Sequence, residues 1–166
     1  MNEAKAIIVM GVSGSGKTTV GLALAERLGW PFHDGDDFHP PANIDKMARG
    51  IPLNDADRWP WLEAIHAFIL KCLRHNQPVI IACSALKQRY RDRLSDNHPN
   101  IIFVYLRGDY DLILTRMRAR QGHFMKEEML QSQFEALEVP EAAQVVDIDA
   151  GLTRIIDHLL EKLGMG

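Results

Sequence analysis

Cysteine is scarce. The chain carries two in 166 residues, Cys72 and Cys83, and they form no metal-ligand spacing. The pair offers neither a disulfide framework nor a structural zinc site, so the expected compartment is the reducing cytoplasm with both thiols free. Positive charge is not in excess either. Nineteen Lys and Arg stand against 22 Asp and Glu, a net charge of −3, so no global field draws the chain to nucleic acid. Aromatic residues do not interleave with the local basic clusters, which removes the usual stacking platform for single strands. No apolar run approaches the length that crosses a bilayer, so no membrane partner is expected. Met1–Lys5 leads straight into a strand pattern, with no leader expected. Repeats, low-complexity tracts and long linkers are missing, and residues 1–166 are expected to form a single domain with a real core.

One feature dominates what is present. Gly11-Val12-Ser13-Gly14-Ser15-Gly16-Lys17-Thr18 matches G-x-x-x-x-G-K-[ST], the phosphate-binding loop. An apolar run, Ile7–Met10, leads in, and a helical pattern from Lys17 to Leu28 leads out. The glycines let successive N–H groups turn inward as an anion nest, and the helix adds its positive end. Lys17 can reach the β- and γ-phosphates of ATP, and the Thr18 hydroxyl can hold Mg²⁺. The dinucleotide fingerprint fails, because it needs glycine where Thr19 stands.

Apolar runs alternate with helical patterns along the rest of the chain. Strands are predicted at Ala6–Met10, Pro31–His33, Val79–Cys83, Ile101–Leu106 and Val145–Ile148, several of them apolar throughout as in a parallel sheet buried on both faces. Helices are predicted at Lys17–Leu28, Asp55–His75, Lys87–Leu94, Tyr110–Arg120, Lys126–Leu137 and Leu152–Leu163. The fold class is α/β, a three-layer P-loop NTPase sandwich with a parallel five-stranded sheet. Two segments interrupt the alternation: about 34–61, rich in Pro, Asp, Asn and Gly, and about 118–140, of mixed charge. Both are expected on the phosphate-loop side, as a substrate-binding flap and a lid.

Chemistry gathers at the turns. Asp34-Gly35-Asp36-Asp37 follows the second strand. If strand geometry continues, Asp34 and Asp36 share a face, with Gly35 giving a ligand close approach. Asp36 is then assigned to the acceptor hydroxyl and Asp34 to Mg²⁺; a solvated acidic turn is the alternative. The third strand ends in Cys83-Ser84, where many P-loop ATPases and GTPases have Asp, so a motor or GTPase loses support. Cys83 and Cys72 read as packing. Basic residues cluster as Lys46, Arg49 and Arg58; as Lys87, Arg89, Arg91 and Arg93; and as Arg116, Arg118 and Arg120 with His123. One cluster can serve the acceptor and another the nucleotide. Arg89, Arg93 and Arg118 read as solvated helix faces. His39 is a candidate for the acceptor pocket, and Trp59 and Trp61, around Pro60, read as packing.

Assembled, these residues resemble the bacterial-type gluconate kinases, small P-loop enzymes related in fold to shikimate and nucleoside-monophosphate kinases. The resemblance covers nearly the whole chain. It rests on the phosphate loop, on Asp34-Gly35-Asp36 with Phe38-His39-Pro40, on Asn43–Met47, on Gly50–Asp55 and on Asp57-Arg58 with Pro60-Trp61-Leu62. Cys83-Ser84-Ala85-Leu86-Lys87, Tyr90-Arg91-Asp92, Gly122-His123-Phe124 and Val146–Asp149 extend it. It implies transfer of the ATP γ-phosphoryl group to the 6-hydroxyl of D-gluconate. It also implies Arg58 on the acceptor carboxylate, Arg116 against the adenine, Arg120 as a lid arginine at the phosphates, Arg49, Lys87 and His123 as further acceptor contacts, and a homodimer. Shikimate kinases carry a triple glycine after the third strand; Cys83-Ser84-Ala85 replaces it here, which argues against shikimate as substrate. A kinase for another small acceptor and a nucleotide-binding regulator without turnover remain the alternatives.

Overall fold

The sheet is built around two central strands with no wet face. The computed structural model describes residues 3–119 and 127–165. In it, β1 (Ala6–Met10), β2 (Phe32–Asp34), β3 (Val79–Ala82), β4 (Ile101–Arg107) and β5 (Gln144–Asp147) pair in parallel in the order β2-β3-β1-β4-β5. Every residue of β1 and β3 is buried. Side chains alternate along β1, so Ile7 and Val9 enter one apolar layer while Ala6, Ile8 and Met10 enter the other. Each fully buried Ile contributes roughly 1.5–3 kcal/mol of apolar burial.

The first layer is closed by α1 (Lys17–Leu28), α5 (Tyr110–Ala119), α6 (Glu127–Ala136) and α7 (Leu152–Leu163). The second is closed by α3 (Asp55–Arg74) and α4 (Gln88–Ser95). After β1 the chain crosses one face to reach β2, and after β3 it crosses the other to reach β4. The connections therefore diverge above the β1–β3 pair, and a crevice opens there at the carboxyl ends of the strands. Two bonds close its floor: Cys83 N–H donates to Val9 O (3.0 Å) and Gly11 N–H to Ser84 O (3.3 Å).

The predicted strands and helices are present with ends shifted by at most one residue among the described residues, and two differences bear on the site. β2 begins at Phe32 instead of Pro31, because Pro31 has no N–H for the ladder and offers only its carbonyl, to Ile80 N–H at 3.0 Å. The shift carries Asp34 into the sheet opposite Ala82. The segment 34–61 is also less irregular than its composition suggests. It contains a 3₁₀ turn (Gly35–Phe38), the short helix α2 (Pro41–Ala48) and the first turns of α3. Pro41 begins α2, where a missing N–H costs nothing. A capping box between Asn54 and Asp57 starts α3.

Candidate active site

The phosphate loop joins β1 to α1 at the crevice. Gly14 has φ 81°, and a Cβ there would lie 2.8 Å from Met117 Cγ, so α5 packs directly beneath the loop. Lys17 folds back on its own loop, donating from Nζ to Gly11 O (3.0 Å) and Val12 O (3.1 Å). Burial lowers the Lys17 pKa from its ordinary value, against the opposing pull of Cys83, Asp36 and Asp34. The loop opens into a cleft of about 410 Å³ lined by Ser13, Gly14, Gly16, Lys17, Thr18 and Thr19, together with Asp34, Asp36, Ala82, Cys83, Ser84 and Gln133. Of the predicted chemistry, the cleft thus unites Lys17, Thr18, Asp34 and Asp36.

Asp34 and Asp36 meet there for a different reason from extended alternation. The strand stops at Asp34, whose Oδ1 accepts the Asp36 N–H (2.9 Å) and so caps the 3₁₀ turn. That turn carries Asp36 to the cleft. Nor does Gly35 make room for a ligand: a Cβ there would stand 2.6 Å from Ala82 O and 3.3 Å from Cys83 Cβ, so its smallness serves the packing of the turn on β3. The Asp36 side chain is 80 % exposed on its open side. Its position against the cleft wall and the charge of Asp34 raise its pKa. Cys83 is fully enclosed, its thiol pushed up to about 12, which fits packing and excludes a thiolate nucleophile.

The acceptor candidates are distributed around this cleft rather than inside it. His39 is buried; its ring stacks on Trp61 (4.3 Å between centroids) and its Nδ1 pairs with Asn43 Nδ2 at 3.1 Å. Its Nε2 stands 3.9 Å from Asp36 Oδ1, beyond hydrogen-bond reach, and its side chain is buried instead of lining the cleft. Burial lowers its pKa; Asp36 opposes that and Arg58 adds to it. Arg58 is half-buried, donates to Tyr90 Oη (3.3 Å) and lies 3.8 Å from Asp55 Oδ1. Tyr90 in turn donates to Asp55 (2.6 Å), and Arg89 pairs with the same carboxylate. Arg49 is 66 % exposed and pairs with Asp45 one turn back along α2; it does not line the cleft. Lys87 stands half-buried at the N-terminus of α4. On the nucleotide side, Arg116 reaches across to Ile148 O (2.6 Å), in the loop after β5. Arg93 and Arg118 are exposed and pair with Glu63 and Glu127, as surface residues do. Arg120 and His123 lie outside the described residues.

Magnesium fits the donor set. Thr18 offers a hydroxyl and Asp34 a carboxylate to one cleft, both hard oxygens. Among the described residues no cluster of three His, Cys, Asp or Glu forms a closed metal cage. That suits an ion held between one or two protein oxygens and substrate phosphates.

Gln133 has no place in the sequence reading, and Arg91 appears there only within a basic cluster and a motif. Gln133, on α6, accepts the Ser13 N–H at its Oε1 (2.6 Å) and donates from Nε2 to Ser13 Oγ (2.9 Å). Its partner lies 120 residues away, and no local pattern marks it. Arg91 is only 2 % exposed. It donates to Ala85 O (2.7 Å), Gln88 Oε1 (3.1 Å) and Glu138 O (2.7 Å), pinning the strained loop in which Ala85 has φ 46°. A signal for Arg91 existed: Tyr90 and Leu94, at helical spacing, mark the inward face beside it.

A family model described as shikimate kinase matches residues 13–163. The thermoresistant gluconokinase of Escherichia coli (strain K12) is 47 % identical over 163 residues, covering 96 % of this chain and 93 % of its own. The crystal structure of a gluconokinase from Sinorhizobium meliloti 1021 superposes with a TM-score of 0.81 at 44 % identity, over 99 % of this chain and 98 % of that one. An unliganded sugar kinase from Janibacter sp. HTCC2649 gives 0.89 at 41 %, over 98 % and 96 %. Relatives this similar, spanning both the phosphate loop and the acceptor flank, separate the chain from shikimate kinases proper while keeping their fold. The chain belongs to the gluconokinase family, within the shikimate-kinase-like P-loop kinases.

Proposed function

We propose that this enzyme transfers the γ-phosphoryl group of ATP to the 6-hydroxyl of D-gluconate, giving 6-phospho-D-gluconate and ADP. The observation that carries the reading is the junction, in one cleft, of the phosphate loop with Asp36, flanked by the Arg58–Asp55–Tyr90 cluster. The gluconokinase relatives supply the acceptor.

Transfer forms a bond between the acceptor oxygen and the γ-phosphorus and breaks the bond to the β–γ bridging oxygen. Most of the catalysis is positioning and neutralisation of charge. Residues Gly11 to Thr18 cradle the phosphates; Lys17 turns from its own carbonyls to the β- and γ-oxygens. Asp36 orients the hydroxyl and takes its proton, and its raised pKa brings it nearer to that task. Arg58, whose planar fork suits a carboxylate, anchors the other end of gluconate, with Arg49, Lys87 and His123 as further contacts. Thr18 and Asp34 would hold Mg²⁺, which would supply charge neutralisation at the phosphates. Arg116 is assigned to the adenine and Arg120 to the developing charge. The segments 34–61 and 118–140 act as flap and lid of a single domain, excluding water. In this reading the protein works in the cytoplasm as a homodimer on a small-molecule substrate, without nucleic acid or membrane. No described helix is long and apolar enough to cross a bilayer, and Cys72 and Cys83 are both free and buried.

The test is ADP release from ATP and Mg²⁺ with D-gluconate, beside shikimate, glucose and AMP. Release dependent on gluconate alone supports the reading. Release with another acceptor reassigns the pocket, and nucleotide binding without acceptor-dependent release makes the protein a regulator.

A further inference from the structure

We propose that Tyr90 is a positioning residue that keeps the Arg58 guanidinium available to the acceptor by holding back the carboxylate of Asp55. Asp55 and Arg58 stand three residues apart on α3, the spacing at which opposite charges meet on one helix face. They do not close: the gap is 3.8 Å, beyond hydrogen-bond reach. The Tyr90 hydroxyl bridges them instead. It donates to Asp55 Oδ1 (2.6 Å) and accepts from an Arg58 N–H (3.3 Å), so the guanidinium meets a neutral oxygen in place of a charged one. The other carboxylate oxygen, Asp55 Oδ2, is taken by Arg89. Both groups that restrain Asp55 come from α4, while Asp55 and Arg58 ride together on α3.

Tyr90 can do this because its own position is fixed. The residue is buried, its ring lies 5.5 Å from the Cζ of both Arg58 and Arg89, and Trp59 meets it edge-on at 6.5 Å. The hydrogen bond from Tyr90, with a smaller pull from Arg89, holds the Asp55 carboxyl below its ordinary value, as expected where the phenol binds the anion. Without the hydroxyl, Asp55 Oδ1 loses its donor and the Arg58 fork is within reach of a side-chain rotation. The resulting ion pair would cover the face of the guanidinium that a substrate carboxylate needs. Tyr90 thus acts through Arg58, and its effect falls on acceptor affinity. The inference rests on the assignment of Arg58 to the acceptor carboxylate.

The experiment is steady-state kinetics of the full chain in both substrates. Tyr90→Phe keeps the ring and removes the hydroxyl; the KM for gluconate is expected to rise roughly threefold to tenfold, the net worth of one hydrogen bond, while the KM for ATP stays put. Adding Asp55→Asn to that variant removes the competing charge and should recover most of the rise. In an Arg58→Ala background, Tyr90→Phe should raise the KM no further, because the residue through which it acts is gone. A merely structural hydroxyl would lower the Tm, and the second substitution would then add to the damage instead of relieving it. An unchanged KM for gluconate in folded Tyr90→Phe overturns the proposal, as does a rise that Asp55→Asn leaves in place. A wrong acceptor assignment shows already in the wild-type chain, which would lack gluconate-dependent ADP release; a wrong inference shows only in the variants, with the wild-type baseline intact.

Discussion

The phosphate loop and the acceptor flank, neighbours across one cleft, are held by different means. In the loop the working groups are backbone N–H donors, and position comes from chain geometry: a left-handed Gly14 resting on Met117, and Lys17 folded onto carbonyls five and six residues back. Across the cleft, position comes from side chains. Trp61 donates to Gly35 O (2.7 Å) and stacks on His39, Asn43 joins His39 to Asp57 O, and Lys46 pairs with Asp57 at 2.8 Å. A backbone cradle binds what all nucleotides share. A side-chain lattice can be re-cut for one acceptor without disturbing the cradle. Enzymes of one fold thereby keep their nucleotide and change their acceptor.

If this division holds, substitutions in the two halves should fail differently. The largest effect belongs to Lys17→Ala, expected to lower kcat by about 10² to 10³ with the fold retained. Acceptor-dependent ADP release alongside circular dichroism checks it, and near-normal turnover in a folded variant would remove the mechanism. Asp36→Asn should follow closely. Because partial desolvation and the charge of Asp34 raise the Asp36 pKa, and only the ionised form accepts the proton, activity should disappear on acidification at a pH above the ordinary Asp value of about 3.9. A pH profile of kcat/KM with its acid limb below that value would contradict the assignment. Arg58→Ala should act on the acceptor alone, raising the KM for gluconate about tenfold while the KM for ATP stays put; steady-state kinetics in both substrates separates them.

The smallest expected effect is on stability. Asn54→Ala removes the cap of α3 and should cost about 1 kcal/mol, read as a drop in Tm. The neighbouring Lys46–Asp57 pair sharpens this. The side chain of Lys46 and the backbone N–H of Asn54 hold the Asp57 pKa below its usual value. The sign is that of a depressed carboxylate: the stabilisation is complete above the unfolded value of about 3.9 and is lost as pH falls through the lower folded one.

The same division explains what could be read in the sequence. β1, α1 and α7 begin and end where apolar periodicity places them, since unbroken burial marks the strand and Gly29 and Gly164 stop the helices in left-handed turns. The phosphate loop was legible for a related reason: its function is local in the chain. α2 was not, because eight residues with a proline start give little periodicity, and Asn43 is held by His39 and Asp57 rather than by local propensity. The pairing of Asp34 with Asp36 was anticipated, but its cause was not, since a 3₁₀ turn replaces the continued strand. His39 illustrates the same limit: only its stacking on Trp61, 22 residues later, turns a candidate pocket residue into a packed one.

Arg91 bears on how such an enzyme could be altered. Its guanidinium is buried and meets carbonyl and amide oxygens, and no carboxylate among its hydrogen-bond partners neutralises it. The loop after β3 and the chain after α6 are stitched to this one cation, so neither is an independent module. Transplanting a new acceptor loop into residues 83–88 without the matching stretch near Glu138 would strand a buried charge. The graft would then collapse or refuse to fold before its specificity could be tested. Recombination, by an engineer or in a lineage, would have to inherit the two stretches and Arg91 together.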